Sequence, residues 1–380
     1  MSEVFDASGV TTGYYLARIA GALGKGYDVR VITDPRRGAH EGPRLEHLAA
    51  SVTQRGIRTL VSSFALALRA LFRMRRGDIA ITVTNPPALP ILMRAVAKLR
   101  GVRLVVVVHD VYPDVLLAAH VWRQNGIAAR SFDFLNRRAL SGADSVVVIG
   151  RDMQRKLAGR LNGAASRIQF IPNWADEDIT PGARVEATPR PLVVQYSGNM
   201  GVTHGVESLI ECAALLEGNS AIQFELIGWG LKLSSVRSEI ERRGLRNIRV
   251  LPPAARPELS EQLARCDVAL ILMIKGTGGV SVPCRLYNIM AAARPVVVAA
   301  DRDSEVASVV REAGIGWVVD PDAPDQLAAA LRDAHARADE LPEMGARARQ
   351  LALERYSFEH AAAAYGRVIA SVNRSRNDVA

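Results

Sequence analysis

From residue 29 onward, short runs that are apolar on both faces alternate with longer stretches in which apolar residues recur every three or four positions. The short runs fall at 29–33 (VRVIT), 78–84 (DIAITVT), 103–108 (RLVVVV), 144–149 (DSVVVI) and 167–171 (RIQFI). A second set occupies 192–197, 222–227, 247–251, 267–273, 295–300 and 316–319. Strands apolar on both faces and separated by helical patterns predict parallel sheets covered by helices on either side. Between the two sets, 173–191 is polar, carries three prolines and has no period, so it reads as a linker. The expectation is an α/β chain with two doubly wound, Rossmann-like domains, 1–172 and 192–355, followed by a C-terminal helical segment, 356–380. Two such domains would face each other across a cleft, with ligands beyond the carboxyl ends of the strands.

The start of the chain breaks this rhythm. "VFDASGVTTGYYLARIAGAL" reads as the loop and helix that follow a first strand, with Gly9, Thr11, Thr12 and Gly13 as the turn. Only Met1 to Phe5 remain to supply that strand, so the chain is expected to begin at a downstream methionine.

Composition narrows the class. Of 380 residues 49% are apolar, and the longest unbroken apolar stretches are far shorter than the roughly 20 residues of a membrane helix. No signal-peptide pattern opens the chain. Cys212, Cys266 and Cys284 lack metal or redox spacing, so a cytoplasmic setting is expected. Positive charge is concentrated early: residues 1–185 hold 26 Lys+Arg against 15 Asp+Glu, and the remainder 22 against 24. The first half therefore needs an anionic surface or partner. Nucleic acid fits poorly, because no basic stripe is interleaved with aromatics, which make up only 5% of the chain. The segment 58–76, RTLVSSFALALRALFRMRR, has an apolar helical face edged by Arg58, Arg69, Arg73, Arg75 and Arg76. It suits either a core-packing helix or one lying on a membrane surface.

Glycine turns stand where strands end. "YSGNMGVTHG" carries Gly198, Gly201 and Gly205, and "LIGWG" carries Gly228 and Gly230 around Trp229. In "KGTGGVSVPCRLYNIMAAARPVVVAA" a glycine loop leads through Pro283 into a helix expected over 284–293, flanked by Lys275 and Arg285. A helix start with unpaired N–H groups beside two cations suits an anion, although an ordinary loop-to-helix junction has the same pattern. Three such turns in one domain favour a nucleotide site. In the first domain "HDVYPDV" places His109 and Asp110 after a buried strand, as a base, a sugar ligand or a structural pair. The acidic pairs at 176–178, 301–303 and 320–322 do not make a metal site, and no His/Cys cluster has zinc spacing.

Taken in order, "SGVTTGYYLARIAGAL", "HDVYPDV", "IPNW", "YSGNMGVTHGVESLIECA", "LIGWG", "VPCRLYNIMAAARPVVVAA" and "AGIGWVVDPDAPDQLAAAL" resemble the family 4 retaining glycosyltransferases of GT-B architecture. The resemblance is nearest to the branch that builds bacterial surface polysaccharides, including transferases of aminodeoxy sugars. "ERYSFEHAAAAYGRVI" is similar to the closing helices that cross back to the first domain. The resemblance implies a UDP- or GDP-linked sugar donor in the second domain and a polyprenyl-linked saccharide acceptor at the first. It implies transfer with retention at the inner face of the membrane, without metal or cofactor. On it, Lys275, Arg285, Asn199, His204 and Gly198 would meet the diphosphate. Asn288, Gly228, Trp229, Gly230 and Leu251 would meet ribose and base. His109 and Asp110 would lie by the transferred sugar, with Gly9, Thr12 and Gly13 in the loop lining the cleft. The pattern also departs from the family. Val280 and Asn288 replace two glutamates, Asn199 and His204 replace an arginine and a lysine, Cys284-Arg285 replaces Ser-Lys, and Ala293 replaces a glycine. A nucleotide-sugar epimerase of the same architecture, or a non-catalytic sugar- or nucleotide-binding homologue, is the alternative.

Overall fold

The computed structural model describes residues 11–33, 52–161, 163–182 and 190–374. The chain divides into two units, and the first takes residues up to Pro172 together with Gly279–Ser281 and everything from Glu359. In chain order the first unit runs α1 (Thr11–Leu23), α2 (Val52–Arg73), β1 (Ile79–Val83), α3 (Leu89–Arg100), β2 (Arg103–Val108), α4 (Asp114–Ala118), α5 (Ile127–Ser141), β3 (Ser145–Val148), α6 (Arg151–Arg160) and β4 (Ile168–Phe170). The second runs β5 (Leu192–Asn199), α7 (Val206–Leu215), β6 (Ile222–Trp229), α8 (Leu233–Arg243), β7 (Ile248–Leu251), α9 (Leu259–Ala264), β8 (Val268–Leu272), α10 (Arg285–Ala291), β9 (Val296–Ala299), α11 (Glu305–Ala313), β10 (Gly316–Val319), α12 (Pro324–Ala336) and α13 (Leu341–Arg355). The last helix, α14 (Phe358–Arg374), belongs to the first unit from Glu359 on.

Both sheets are parallel throughout. The first has the order β1-β2-β3-β4 and the second β10-β9-β8-β5-β6-β7. Leu104 to Val108 of β2 and the valines of β3 are almost wholly removed from water, as strands covered on both faces must be. Each such side chain contributes roughly 1.5–3 kcal/mol by burial. In the second unit Tyr196, Phe224 and Leu226 fill one side of the sheet, and Leu286, Tyr287 and Met290 of α10 fill the other against Ala348 and Ala352 of α13. The order reverses between β5 and β8, and a doubly wound sheet opens a crevice at the carboxyl ends of its strands at such a point.

Three expectations are corrected. The run 29–33 forms no strand. A strand needs a neighbour for its N–H and C=O groups, whereas Val29 and Val31 are exposed and β1 pairs only with β2 among the described residues. The segment read as a linker is in its first half part of the second unit. Trp174 is buried against Phe358, and the Asp176 carboxylate is buried in an ion pair with Arg256 at 2.7 Å. The helix expected over 284–293 is shorter, ending in Ala293 at φ 56°, the left-handed region. Glycine suits that conformation, and alanine there costs about 1–2 kcal/mol. The close approach of Gly345, whose Cβ would sit 2.1 Å from the Ala293 oxygen, holds the turn from the other side.

Candidate functional site

In the second unit the site grows from the end of β5. There β5 and β6 stay in register to their last residues, Gly198 opposite Gly228 and Asn199 opposite Trp229. The Met200 N–H then donates to the Trp229 oxygen at 2.6 Å. This approach dictates the glycines. A Cβ on Gly228 (φ 142°) would lie 2.0 Å from the Gly198 oxygen, and one on Gly230 (φ 136°) 2.6 Å from Asn199 Oδ1 and the Met200 nitrogen. Gly198, itself at φ 137°, leaves space for another group: a Cβ there would lie 3.1 Å from the Arg285 Cζ.

Arg285 is the first residue of α10. Its guanidinium lies over the Tyr196 ring, 4.5 Å from the centroid, and Nη2 donates to the Asn199 oxygen at 3.1 Å. The Tyr196 hydroxyl donates to the same oxygen at 2.8 Å. Nη1 is buried and has no partner among the described residues. A buried guanidinium donor left open is costly unless a ligand completes it.

His204 follows in the same turn. Its Nδ1 accepts from the Gly201 N–H at 3.2 Å, which leaves Nε2 to carry the proton as a donor. Burial, with the charges of Arg285 and Lys232, pulls its pKa down to about 3. The histidine standing at the family's lysine position is therefore neutral. A cation stands beside it on Lys232, the residue before α8. Its Nζ donates to the His204 carbonyl oxygen at 2.7 Å and pairs with Glu207 at 2.9 Å. Lys232 was not singled out from the sequence. The signal is an ammonium two residues past a glycine turn at a helix amino end, where the dipole disfavours a cation unless an anion is near.

The remaining expected residues make contacts of their own. Lys275 is exposed, and its charge reaches Asp320, whose pKa is lowered first by Arg302; the charges acting on His204 are Arg285 and Lys232. The loop before α10 is tied back on itself, since the Gly276 and Gly278 N–H groups donate to Asp301 Oδ2 at 2.9 and 2.8 Å. Asn288 accepts from the Asp176 N–H through Oδ1 at 2.8 Å, so it holds the 173–179 segment and only its NH2 group remains open. Trp229 is exposed, and Leu251 ends β7 half-buried.

In the first unit His109 and Asp110 follow β2, and both backbone N–H groups donate to Thr84 Oγ1, at 3.1 and 3.3 Å. His109 Nε2 is buried without a partner among the described residues, and burial lowers its pKa to about 4. Burial raises the Asp110 pKa, partly offset by a hydrogen bond with Ser281. The Asp110–Ser281 bridge and the Val111 N–H to Val280 oxygen bond (2.8 Å) tie 279–281 to this loop. Val280 is fully buried there, so it does not take the place of a glutamate ligand. A few residues on, Asp114 is clamped by Arg160 (2.5 Å) and Lys156 (3.1 Å). Thr12 and Gly13 lie in the first turn of α1 rather than in a loop, and Gly9 lies outside the described residues.

The two histidines give the fold a pH dependence. An unfolded imidazole titrates near 6.5. Stability due to the neutral forms is complete above that pH and is lost as pH falls through about 4 for His109 and about 3 for His204. The slope approaches about 1.4 kcal/mol per pH unit for each proton. The urea midpoint should fall between pH 7 and pH 4.5, and less steeply in His204→Gln. Equal slopes would show that His204 is not held neutral by the fold.

Known proteins share this fold. The glycosyl transferase 4-like domain matches residues 11–174, and the glycosyl transferases group 1 domain matches 183–351. The chain thus belongs, by its two domains together, to the glycosyltransferases of GT-B type. It is 29% identical over 351 residues to the probable glycosyltransferase WbjE of Pseudomonas aeruginosa, covering 86% of each chain. It is 28% identical over 255 residues to the putative colanic acid biosynthesis glycosyl transferase WcaI of Escherichia coli K12, covering 64% of this chain and 62% of that one. Among solved structures, Anabaena Alr3699/HepE in complex with UDP superposes with a TM-score of 0.71 at 16% identity, covering 98% of this chain and all of that one (100%).

Proposed function

We propose that the protein transfers a sugar from a nucleoside-diphosphate sugar to a polyprenyl-linked saccharide, with retention, in surface-polysaccharide biosynthesis at the inner face of the cell membrane. The observation that carries this reading is the buried, open Nη1 of half-exposed Arg285 at the turn 198–204, with Lys232 close to His204. The donor's diphosphate completes Arg285, is neutralised by Lys232, and accepts from His204 Nε2–H. As the bond from the sugar's anomeric carbon to the β-phosphate oxygen breaks, these groups stabilise the charge that develops on the leaving group. The acceptor hydroxyl attacks on the face the diphosphate leaves, and its proton passes to the departing phosphate oxygen. In the first unit His109, neutral and open at Nε2, is free to hydrogen-bond a sugar hydroxyl, while Asp110 and Ser281 hold its loop. The two cations take the role that a divalent metal plays in other transferases, and the reaction needs no cofactor. UDP is the first nucleotide to test, since Alr3699/HepE binds it.

The experiment is thermal stabilisation of the full chain by UDP, GDP, ADP and dTDP, followed by transfer from the matching donors to polyprenyl-linked saccharide. Retention is read from the anomeric configuration of the product. Release of nucleotide without acceptor would support the epimerase, and stabilisation by none of the four would remove the donor-site reading.

The acceptor side of this reading is supported by α2. Ser63, Leu66, Ala67 and Ala70 face inward, whereas Val61, Phe64, Leu68 and Phe72 are exposed along the opposite face beside Arg69 and Arg73. An outward apolar stripe flanked by cations fits an anionic lipid surface. No described helix is long and apolar enough to cross a membrane. Phe64→Ser/Phe72→Ser should reduce co-sedimentation with phosphatidylglycerol vesicles by about tenfold or more, with nucleotide stabilisation retained. Undiminished vesicle binding would remove α2 from this role.

A further inference from the structure

At the amino ends of the first unit's strands lies a basic feature that sugar transfer leaves unused. A cavity of about 830 Å³ opens between the starts of β2 and β3, the length of β4 and one face of α14. Arg103, Arg167, Arg367 and Arg374 line it. Arg367, Ser371 and Arg374 recur at spacings of four and three along α14, so the helix turns both arginines to the same side.

Three of the four arginine charges around this cavity have no carboxylate partner among the described residues. Among the described residues Asp144 is the cavity's only acidic lining residue, and both its oxygens are engaged. Oδ1 accepts from Arg103 Nη1 at 2.7 Å, and Oδ2 from the Leu104 N–H at 2.8 Å. Arg167 is oriented by the Ser141 and Ala143 carbonyl oxygens, each at 3.4 Å, which leave its positive charge uncompensated. Arg367 and Arg374 are exposed and have no acidic partner among the described residues. Arg167, Arg367 and Arg374 carry like charges that repel one another unless an anion joins them. Planar guanidinium forks match phosphate oxygens two at a time.

Two of the cavity's arginines stand well away from His109: Arg103 and Arg167 are at the starts of β2 and β4, whereas His109 follows the end of β2, six residues or about 20 Å along the strand. The volume falls in the range of small-ligand sites.

We propose that this cavity is a second anion site that takes a phosphate-bearing ligand and fastens α14 to the amino edge of the first sheet. The inference does not rest on the donor reading, since none of its residues belongs to the second unit. Inorganic pyrophosphate is the soluble probe, titrated calorimetrically into the full chain, and phosphatidic acid vesicles are the probe for a lipid headgroup.

For Arg367→Ala/Arg374→Ala the expected result is a loss of affinity of about tenfold or more for one of the two probes. Which probe responds separates a soluble phosphate from a headgroup. Both arginines are exposed, so the melting temperature should stay close to the parent's and a folding defect would be visible separately. Arg285→Ala should retain this binding, which distinguishes it from binding at the donor turn. The proposal is overturned if Arg367→Ala/Arg374→Ala binds both probes as the parent does, or if Arg285→Ala alone removes all pyrophosphate binding.

Discussion

Arg285→Ala should lower sugar transfer by about 100-fold while leaving the chain as stable as the parent, or more so. The two effects have opposite signs because the side chain has two environments. In the unliganded protein its Nη1 is buried without a partner, which costs free energy, and the ring of Tyr196 and the Asn199 oxygen only partly compensate. With a diphosphate bound, the same Nη1 makes a charge-assisted contact worth about 1.5–3 kcal/mol, and a leaving group that gains charge draws on it further. A residue kept for packing would behave the other way, losing stability with activity. Arg285→Lys should recover part of the rate, since it restores the charge without the planar fork. Transfer rates, UDP protection and melting curves on the three proteins check this. An alanine variant that binds UDP as tightly as the parent would remove Arg285 from the donor site.

Both sheets could be read from the sequence because strands such as 103–108 and 144–149 are apolar on both faces, and burial alone determines that pattern. The run 29–33 has the same composition and forms no strand, because pairing depends on a neighbour that local sequence does not specify. Arg285 and the turn at 198–204 were legible as chemistry standing at strand ends. Lys275 follows Ile274, whose N–H donates to the Thr203 oxygen of that turn, while the glycines after it turn their amides onto Asp301, a contact with no trace in the local sequence. Lys232 escaped notice for the converse reason: its closeness to His204 is created by the β5–β6 pairing, across nearly thirty residues of chain. Asn288 kept its place on α10, but its carbonyl partner is the backbone of Asp176, in a segment read as a free linker. Such tertiary hydrogen bonds leave no periodic trace.

Gly228→Ala should destabilise the second unit by about 3 kcal/mol or more, lowering its melting temperature by roughly 10 °C. The sequence alone allowed two explanations for the glycines of "LIGWG", ligand approach and turn chemistry, and this variant separates them. A methyl at Gly228 would lie 2.0 Å from the Gly198 oxygen while φ stays at 142°, so β5 and β6 would have to part at the turn that carries Arg285's partners. Gly316 supplies the control. It faces β9 with the same constraint, its Cβ 1.8 Å from the Val296 oxygen at φ 155°, but it lies at the amino end of β10, away from the donor turn. Gly316→Ala should cost comparable stability and leave UDP affinity unchanged at temperatures where the chain is still folded. Gly228→Ala should lose both. A Gly228→Ala protein that melts with the parent but fails to bind UDP would mean that the glycine keeps space for the nucleotide, and that the sheet tolerates a side chain where the backbone now leaves no room.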